Sequence, residues 1–156
     1  MLVIEIPGFG TLRLEHLVLD YNGTLARDGM LIDGVAQRLQ RLANELAIHV
    51  LTADTFGRAR AALEGLPCRL EILGLASQDE AKLAYVEKLG RERTACIGNG
   101  RNDRMMLEAA ALGIAVVQAE GAAAQTLAVS DVVVAHVHEA LDLLLCPGRL
   151  VATLRS

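Results

Sequence analysis

Two rhythms of apolar and polar positions alternate along the chain. Residues 2–6 and 11–14 alternate apolar with polar around Pro7-Gly8-Phe9-Gly10, which predicts a β-hairpin. Leu17-Val18-Leu19 then forms a short apolar run that ends abruptly in Asp20-Tyr21-Asn22-Gly23. Runs of this kind, bounded by turn residues, read as strands buried on both faces of a parallel sheet. Further strands are expected at Ala47–Leu51, Arg69–Leu73, Thr94–Ile97, Ile114–Val117 and Val132–Val134. Between them the period lengthens to that of a helix. Val35, Leu39, Leu42 and Leu46 form one apolar stripe, with Asp33 as its expected N-cap.

The other helices follow from start and stop signals. One runs from about Thr55 to Glu64, closed by Gly65 and Pro67. Ser77-Gln78-Asp79-Glu80 reads as a capping box that opens a helix ending at Leu89-Gly90. Helices are also expected from Asn102 to about Ala111, stopped by Gly113, from Gly121 to Val129, and from Val137 to Leu145. Pro147-Gly148 is read as the end of the last helix, with a short tail after it. Leu25 to Ile32, with Asp28-Gly29 in its middle, suggests a second small hairpin. Strand and helix alternate throughout, which predicts a three-layer, doubly wound parallel α/β sheet with an N-terminal β-hairpin. No repeat, low-complexity segment or long linker divides the chain, so residues 1–156 are read as one domain without a cap domain.

Composition narrows the function classes. The chain is 53% hydrophobic but only 3% aromatic, so Ala, Leu and Val must fill the core. The net charge of -4 leaves no basic footprint for nucleic acid. No apolar run is long enough to span a membrane, and Met1–Ile6 lacks the features of a secretory signal. Cys68, Cys96 and Cys146 are odd in number and lack metal spacing, so a reducing cytoplasm is the expected setting. Cys96, inside an apolar run, reads as a small core residue, as does His49 in its strand.

Candidate chemistry collects where strands end, the place where open α/β sheets hold their ligands. Asp20 and Asn22 follow one strand, Thr52 and Ala53 a second, and Asn99, Asn102 and Asp103 a third. Lys82 lies early in the helix after Ser77. Taken alone, Asp20-Tyr21-Asn22-Gly23 is good turn chemistry, Thr52 a strand-end hydroxyl and Lys82 a solvated lysine. Together they offer carboxylates, a hydroxyl and an ammonium, a mixture suited to phosphoryl transfer with a divalent cation.

These residues resemble the haloacid dehalogenase superfamily. Asp20-Tyr21-Asn22-Gly23-Thr24-Leu25 is similar to its Asp-x-Asp-Gly-Thr-Leu motif, Thr52 to the second motif and Lys82 to the third. Gly98-Asn99-Gly100-Arg101-Asn102-Asp103 resembles the fourth, Gly-Asp-Gly-x-Asn-Asp, and Leu107 to Val116 resembles the same region of P-type ATPases. The likeness runs from Leu17 to about Leu145, in order, and is greatest to the small, cap-less, soluble P-type-ATPase-like phosphatases. It implies a Mg²⁺-dependent phosphatase in which Asp20 is the nucleophile that becomes an aspartyl phosphate. It further implies that Thr52, Ala53, Lys82 and Gly23 hold the phosphate. Asp20, the Asn22 carbonyl, Asn99 and Asp103 would hold Mg²⁺, with Asp103 acting directly or through water.

Two positions depart from the family pattern. Asn22 stands where phosphatases carry a second Asp that protonates the leaving group, a transfer that an amide cannot perform. Asn99 stands where the family has a metal-binding Asp, and an amide oxygen brings no charge to the cation. They leave one rival to a working phosphatase, a weakened phosphate-binding or regulatory domain, and the missing cap leaves another, a purely structural partner subunit. The substrate class implied is a phosphorylated small molecule. Cap-less relatives such as the KDO 8-phosphate phosphatases cover their sites by oligomerising, so a dimer or tetramer is expected, with residues 25–32 near the interface. Arg101 is the candidate substrate contact outside the motifs. Asp54 and Arg58 read as a solvated helix start, Met105 and Met106 as core and interface filler, and His136 and His138 as surface or capping residues.

Overall fold

The computed structural model describes residues 1–54 and 56–156. In chain order the elements are β1 (Leu2–Ile6), β2 (Gly10–Leu14), β3 (His16–Asp20), β4 (Ala26–Arg27), β5 (Met30–Leu31), α1 (Val35–Leu42), β6 (Ala47–Thr52), α2 (Arg58–Leu63), β7 (Arg69–Ile72) and α3 (Gln78–Leu89). They continue with β8 (Thr94–Gly98), α4 (Arg104–Ala109), β9 (Leu112–Val116), α5 (Ala124–Val129), β10 (Val132–Val134), α6 (Val137–Leu145) and α7 (Pro147–Leu154).

Six strands form one parallel sheet in the order β10-β9-β8-β3-β6-β7. β3 is apolar from Leu17 to Leu19 because helices cover both of its faces. Leu17 and Leu19 join a core with Val35 and Leu39 of α1 and Ala140 and Leu141 of α6. Val18 points the other way and joins Val86 of α3 and Met106 and Leu107 of α4. After β3 the chain builds outward through β6 and β7, then returns to the opposite side of β3 with β8, β9 and β10. The direction of winding thus reverses between β3 and β8. A crevice opens at the carboxyl ends of two strands that diverge in this way.

The hairpin β1–β2 buries Ile4, Ile6, Leu12 and Leu14 in the α1/α6 core. The small hairpin β4–β5 turns at Asp28 (φ 51°) and Gly29 (φ 80°), the paired positive φ of a type I′ turn. The Tyr21 hydroxyl donates to Gly29 O at 3.0 Å and ties this hairpin to the end of β3.

Several expected element ends move. Gly34 (φ 87°), not Asp33, is the N-cap of α1, because glycine takes the left-handed conformation that the entry requires. Ser77 (φ 53°) caps α3 with no side-chain hydrogen bond, so the expected capping box does not form. The start of the helix expected at Thr55 lies outside the described residues; α2 is capped by Gly57 and begins at Arg58. Residues 101–103 form a 3₁₀ turn before α4, and α5 begins at Ala124 rather than Gly121. Pro147 opens α7 instead of ending the chain's last helix. Its ring presets the helical φ, and its missing N–H costs nothing in a first turn.

Gly113 is the clearest reversal. It lies inside β9 rather than stopping α4. A Cβ there would stand 2.4 Å from the Leu107 carbonyl oxygen. Asp131 pins the same residue from both sides: its carboxylate accepts from Gly113 N and its amide donates to Gly113 O, each at 2.8 Å. Neither backbone can retreat, so Gly113→Ala is expected to cost about 2 kcal/mol or more. Gly148→Ala, where nothing lies within 4 Å of the new methyl, should be neutral or slightly stabilising. Urea midpoints of the two variants measure the contrast, and equal midpoints would contradict the close approach.

Candidate active site

At the carboxyl ends of β3 and β8, three charged side chains form one buried cluster. Lys82 Nζ donates to Asp20 Oδ1 at 2.8 Å and to Asp103 Oδ1 at 2.6 Å. Lys82 is 1% exposed and Asp103 0%, while Asp20 reaches the surface with 6%. Lys82 sits in the fifth position of α3 (Gln78–Leu89), so its long stem can pass under the helix end and its ammonium can meet both carboxylates.

The other carboxylate oxygens are held too. Asp103 Oδ2 accepts from the amides of Asn99 (3.0 Å) and Gly100 (2.9 Å), which closes the loop after β8. Asp20 Oδ2 accepts from the Thr24 hydroxyl at 3.0 Å, and that hydroxyl lies 3.4 Å from Asn99 Oδ1. Burial and the facing Asp103 push the Asp20 carboxyl up to about 7, against the opposing pull of Lys82 and Thr24. Burial alone would favour loss of the Lys82 proton, but the carboxylates of Asp20 and Asp103 outweigh it and raise the ammonium above its usual range.

A cavity of about 300 Å³ lies over this cluster, lined by Asp20, Asn22, Thr52, Ala53, Gln78, Lys82, Asn99, Gly100, Asn102 and Glu120. Most of the sequence-predicted site is therefore in one place: Asp20, Asn22, Thr52, Ala53, Lys82 and Asn99 share its wall. Asp103 lies beneath it, behind Lys82. Gly23 borders a neighbouring cavity of about 340 Å³ with Arg27, Gln118, Glu120 and His136. The Gly23 amide donates to Ala26 O at 3.0 Å, within its own turn. Arg101 lines a separate groove with Asp79 and Arg104, away from this wall. The Asp54 carboxylate accepts from Ala59 N (2.8 Å) and Arg60 N (3.3 Å), so it braces α2. His49 is buried against His16 (3.1 Å) and the Tyr85 hydroxyl (2.9 Å), a satisfied core residue. His136 caps α6, its Nδ1 accepting from His138 N.

Sequence reasoning missed three residues, Gln78, Gln118 and Glu120. Gln78 accepts from Asn102 Nδ2 at 3.0 Å. Gln118 ties three segments together: its Nε2 donates to Gly23 O (3.1 Å) and Thr24 O (2.9 Å), and its Oε1 accepts from Val137 N (2.9 Å). Glu120 sits on the same loop. The signal for it was the missing charge at Asn99. The next strand over is β9, and Glu120 is the acid in the turn that follows it.

The donor set suits a small hard cation. Among the described residues no three His, Cys, Asp or Glu side chains converge to hold a metal by themselves. The Asp20 carboxylate and Asn99 Oδ1 flank one hydroxyl, however, and Asn22 lines the same wall. Oxygen donors of mixed kind, with room for water, match the habits of Mg²⁺.

A profile of the haloacid dehalogenase-like hydrolases matches residues 81–140, the span that carries Lys82, Asn99, Asp103 and Glu120. An uncharacterised protein of Methanocaldococcus jannaschii is 46% identical over 84 residues, covering 51% of this chain and 90% of that protein. The fold is similar to that of 3-deoxy-D-manno-octulosonate 8-phosphate phosphatase from Moraxella catarrhalis, solved with magnesium, phosphate and KDO. The TM-score is 0.71 at 20% identity, covering 91% of this chain and 94% of that one. A zinc-transporting PIB-type ATPase aligns over 79% of this chain and 20% of its own length, with TM-score 0.62 and 25% identity.

The cluster Asp20–Lys82–Asp103 holds one negative charge in excess when both carboxylates are ionised. Because the folded Asp20 binds its proton more tightly than the unfolded one, its contribution to stability is lost as pH rises from about 4 through about 7. In EDTA, Asp20→Asn should therefore match the parent most closely at pH 4 and exceed it at pH 8. The expected gain is on the order of 2 kcal/mol. Thermal melts at the two pH values measure it. A gain equal at both would remove the buried charge as its cause.

Proposed function

The chain belongs to the haloacid dehalogenase-like hydrolases, and on that premise we propose that it is a Mg²⁺-dependent phosphohydrolase that forms an aspartyl phosphate on Asp20. The observation that supports this most directly is the Lys82 ammonium, fixed 2.8 Å from the Asp20 carboxylate at the floor of a polar cavity. It turns a buried aspartate into a nucleophile with a cation already beside it.

The Thr52 hydroxyl, the Ala53 amide and Lys82 would hold the phosphoryl oxygens, with Gly23 giving the loop its turn. An Asp20 oxygen attacks phosphorus, a new P–O bond forms to the carboxylate, and the P–O bond to the leaving oxygen breaks. Water then attacks the same phosphorus, the acyl-phosphate P–O bond breaks, and inorganic phosphate leaves with Asp20 restored. Asp20, the Asn22 carbonyl and Asn99 would hold Mg²⁺, which would supply positive charge against the phosphate. Asp103 orients Lys82, and its charge would act on the cation from behind that ammonium.

The substrate is a phosphorylated small molecule. Asn22 has no proton to give, so the leaving oxygen takes its proton from solvent, which favours substrates with stable leaving groups. A second reading, a weakened phosphate-binding or regulatory domain, is favoured by the same Asn22 and Asn99. Among the described residues no helix is long and apolar enough to cross a membrane. The free thiols of Cys68, Cys96 and Cys146 would suit a cytoplasmic setting.

Asn22→Asp separates the two readings. With Mg²⁺, the parent should hydrolyse an aryl phosphate, and the variant should raise alkyl phosphate hydrolysis on the order of 10²-fold, with a smaller gain on the aryl substrate. No turnover of either substrate by either protein would favour the binding domain.

The site also supports a homo-oligomer. Tyr21, Asn22, Gly29, Ala53, Phe56 and Arg58 line an open mouth next to the catalytic cavity. Phe56 (84%) and, on the hairpin, Met30 (74%) expose large apolar side chains. In our reading a second copy covers them, which would exclude water from the reaction. Light scattering at micromolar concentration should give a dimer or tetramer, and Met30→Asp should weaken it. A monomer at every concentration would overturn this part.

A further inference from the structure

The amide at position 99 removes one carboxylate from the metal side of the cavity, and the fold brings another to the same spot. Asn99 Nδ2 donates to Gly121 O at 3.0 Å, and the Asn99 carbonyl accepts from Ala123 N at 2.9 Å. An aspartate could not make the first of these bonds, because Gly121 O is itself an acceptor. The amide therefore anchors the turn between Gln118 and Gly121, closed by Gly121 N donating to Gln118 O at 2.8 Å. Gln118 fixes the other side of the turn on the carbonyls of Gly23 and Thr24. Between those anchors stands Glu120.

Its carboxylate is aimed back over the Asp20 loop. A Cβ on Gly23 would meet Glu120 Oε2 at 2.5 Å, Asn99 Nδ2 at 2.5 Å and Asn99 Oδ1 at 2.9 Å. Glu120 and Asn99 thus crowd one point above Gly23, and only a glycine there leaves room for both. Thr24 Oγ1, 3.4 Å from Asn99 Oδ1, links that point to Asp20. Asp103 cannot supply the charge that Asn99 lacks, since Lys82 and two backbone amides engage both of its oxygens.

We infer that Glu120 is the second carboxylate of the divalent-cation site, moved from the strand end at Asn99 to the loop after β9 and held there by the Asn99 side chain. The inference rests on the metal-dependent reading above. Glu120 is exposed, lines the same cavity as Asp20 and has a long side chain, so its carboxylate would be free to turn toward a cation there. Charge count sets much of a hard cation's affinity.

The test is metal affinity, measured without turnover. Metal-free protein is titrated with Mn²⁺, followed by its electron paramagnetic resonance signal, with Mg²⁺ as competitor. Glu120→Gln is expected to weaken Mn²⁺ and Mg²⁺ binding by roughly tenfold or more, with the melting temperature in EDTA unchanged. Adding Asn99→Asp to Glu120→Gln should restore most of the affinity, since the loop anchor matters little once the loop carries no ligand. Unchanged affinity in Glu120→Gln, with binding lost in Asp20→Asn, would overturn the role of Glu120 and leave the metal-dependent reading standing. Weakening that Asn99→Asp does not reverse would make Glu120 a loop support and overturn its role as a ligand. Absence of Mn²⁺ binding by the parent would overturn the metal-dependent reading itself and this inference with it.

Discussion

A lysine ammonium held between two buried carboxylates is the constraint on which the rest of this structure depends. Removing the ammonium would leave two carboxylates facing each other in a dry place without a counter-charge, which costs several kcal/mol. The contact also joins three elements: β3 through Asp20, α3 through Lys82 and the loop after β8 through Asp103. Strand pairing sets Leu19 beside Ile97, so the two carboxylates emerge on either side of the winding reversal. Lys82 fills the gap between them. The sheet positions the site, and the site in turn locks the helix onto the sheet.

The loops around this cluster redistribute the roles expected of a single motif. Asn99 exchanges a charge for a donor and uses it to fix the turn at Gly121. Gln118 reaches across to the Asp20 loop and back to α6, so a turn of ordinary length becomes the hub of one wall. Asp103 keeps its carboxylate but commits both oxygens to Lys82 and the loop amides. The carboxylates that line the cavity are those of Asp20 and Glu120, beside Thr52, Lys82 and the amides of Asn22 and Asn99. That is a site of lower charge than the motif pattern implies, with its second carboxylate on a loop.

The three layers, the parallel sheet and most site residues were legible because they depend on local patterns. Apolar runs that end in Asp20, Thr52 and Gly98-Asn99 place chemistry at strand ends whatever the details of packing. Lys82 was legible only through its order among the other motifs. Nothing in the polar pattern of α3 marks it as the fully buried lysine it is. Gly113 and Pro147 were misread because the same residues that stop helices also permit close strand–helix contact and begin new helices. Gln118 and Glu120 lie in a loop without periodicity, whose course is set by tertiary hydrogen bonds of Gln118 and Asn99 that no local pattern records.

The claim that Asp20 attacks phosphorus is tested most directly by a crystal structure grown with Mg²⁺ and beryllium fluoride, which mimics an aspartyl phosphate. Beryllium bonded to an Asp20 carboxylate oxygen, with fluorides on Lys82 and Thr52, is the expected result. Beryllium fluoride bound elsewhere, or bound unchanged in Asp20→Asn, would contradict the claim.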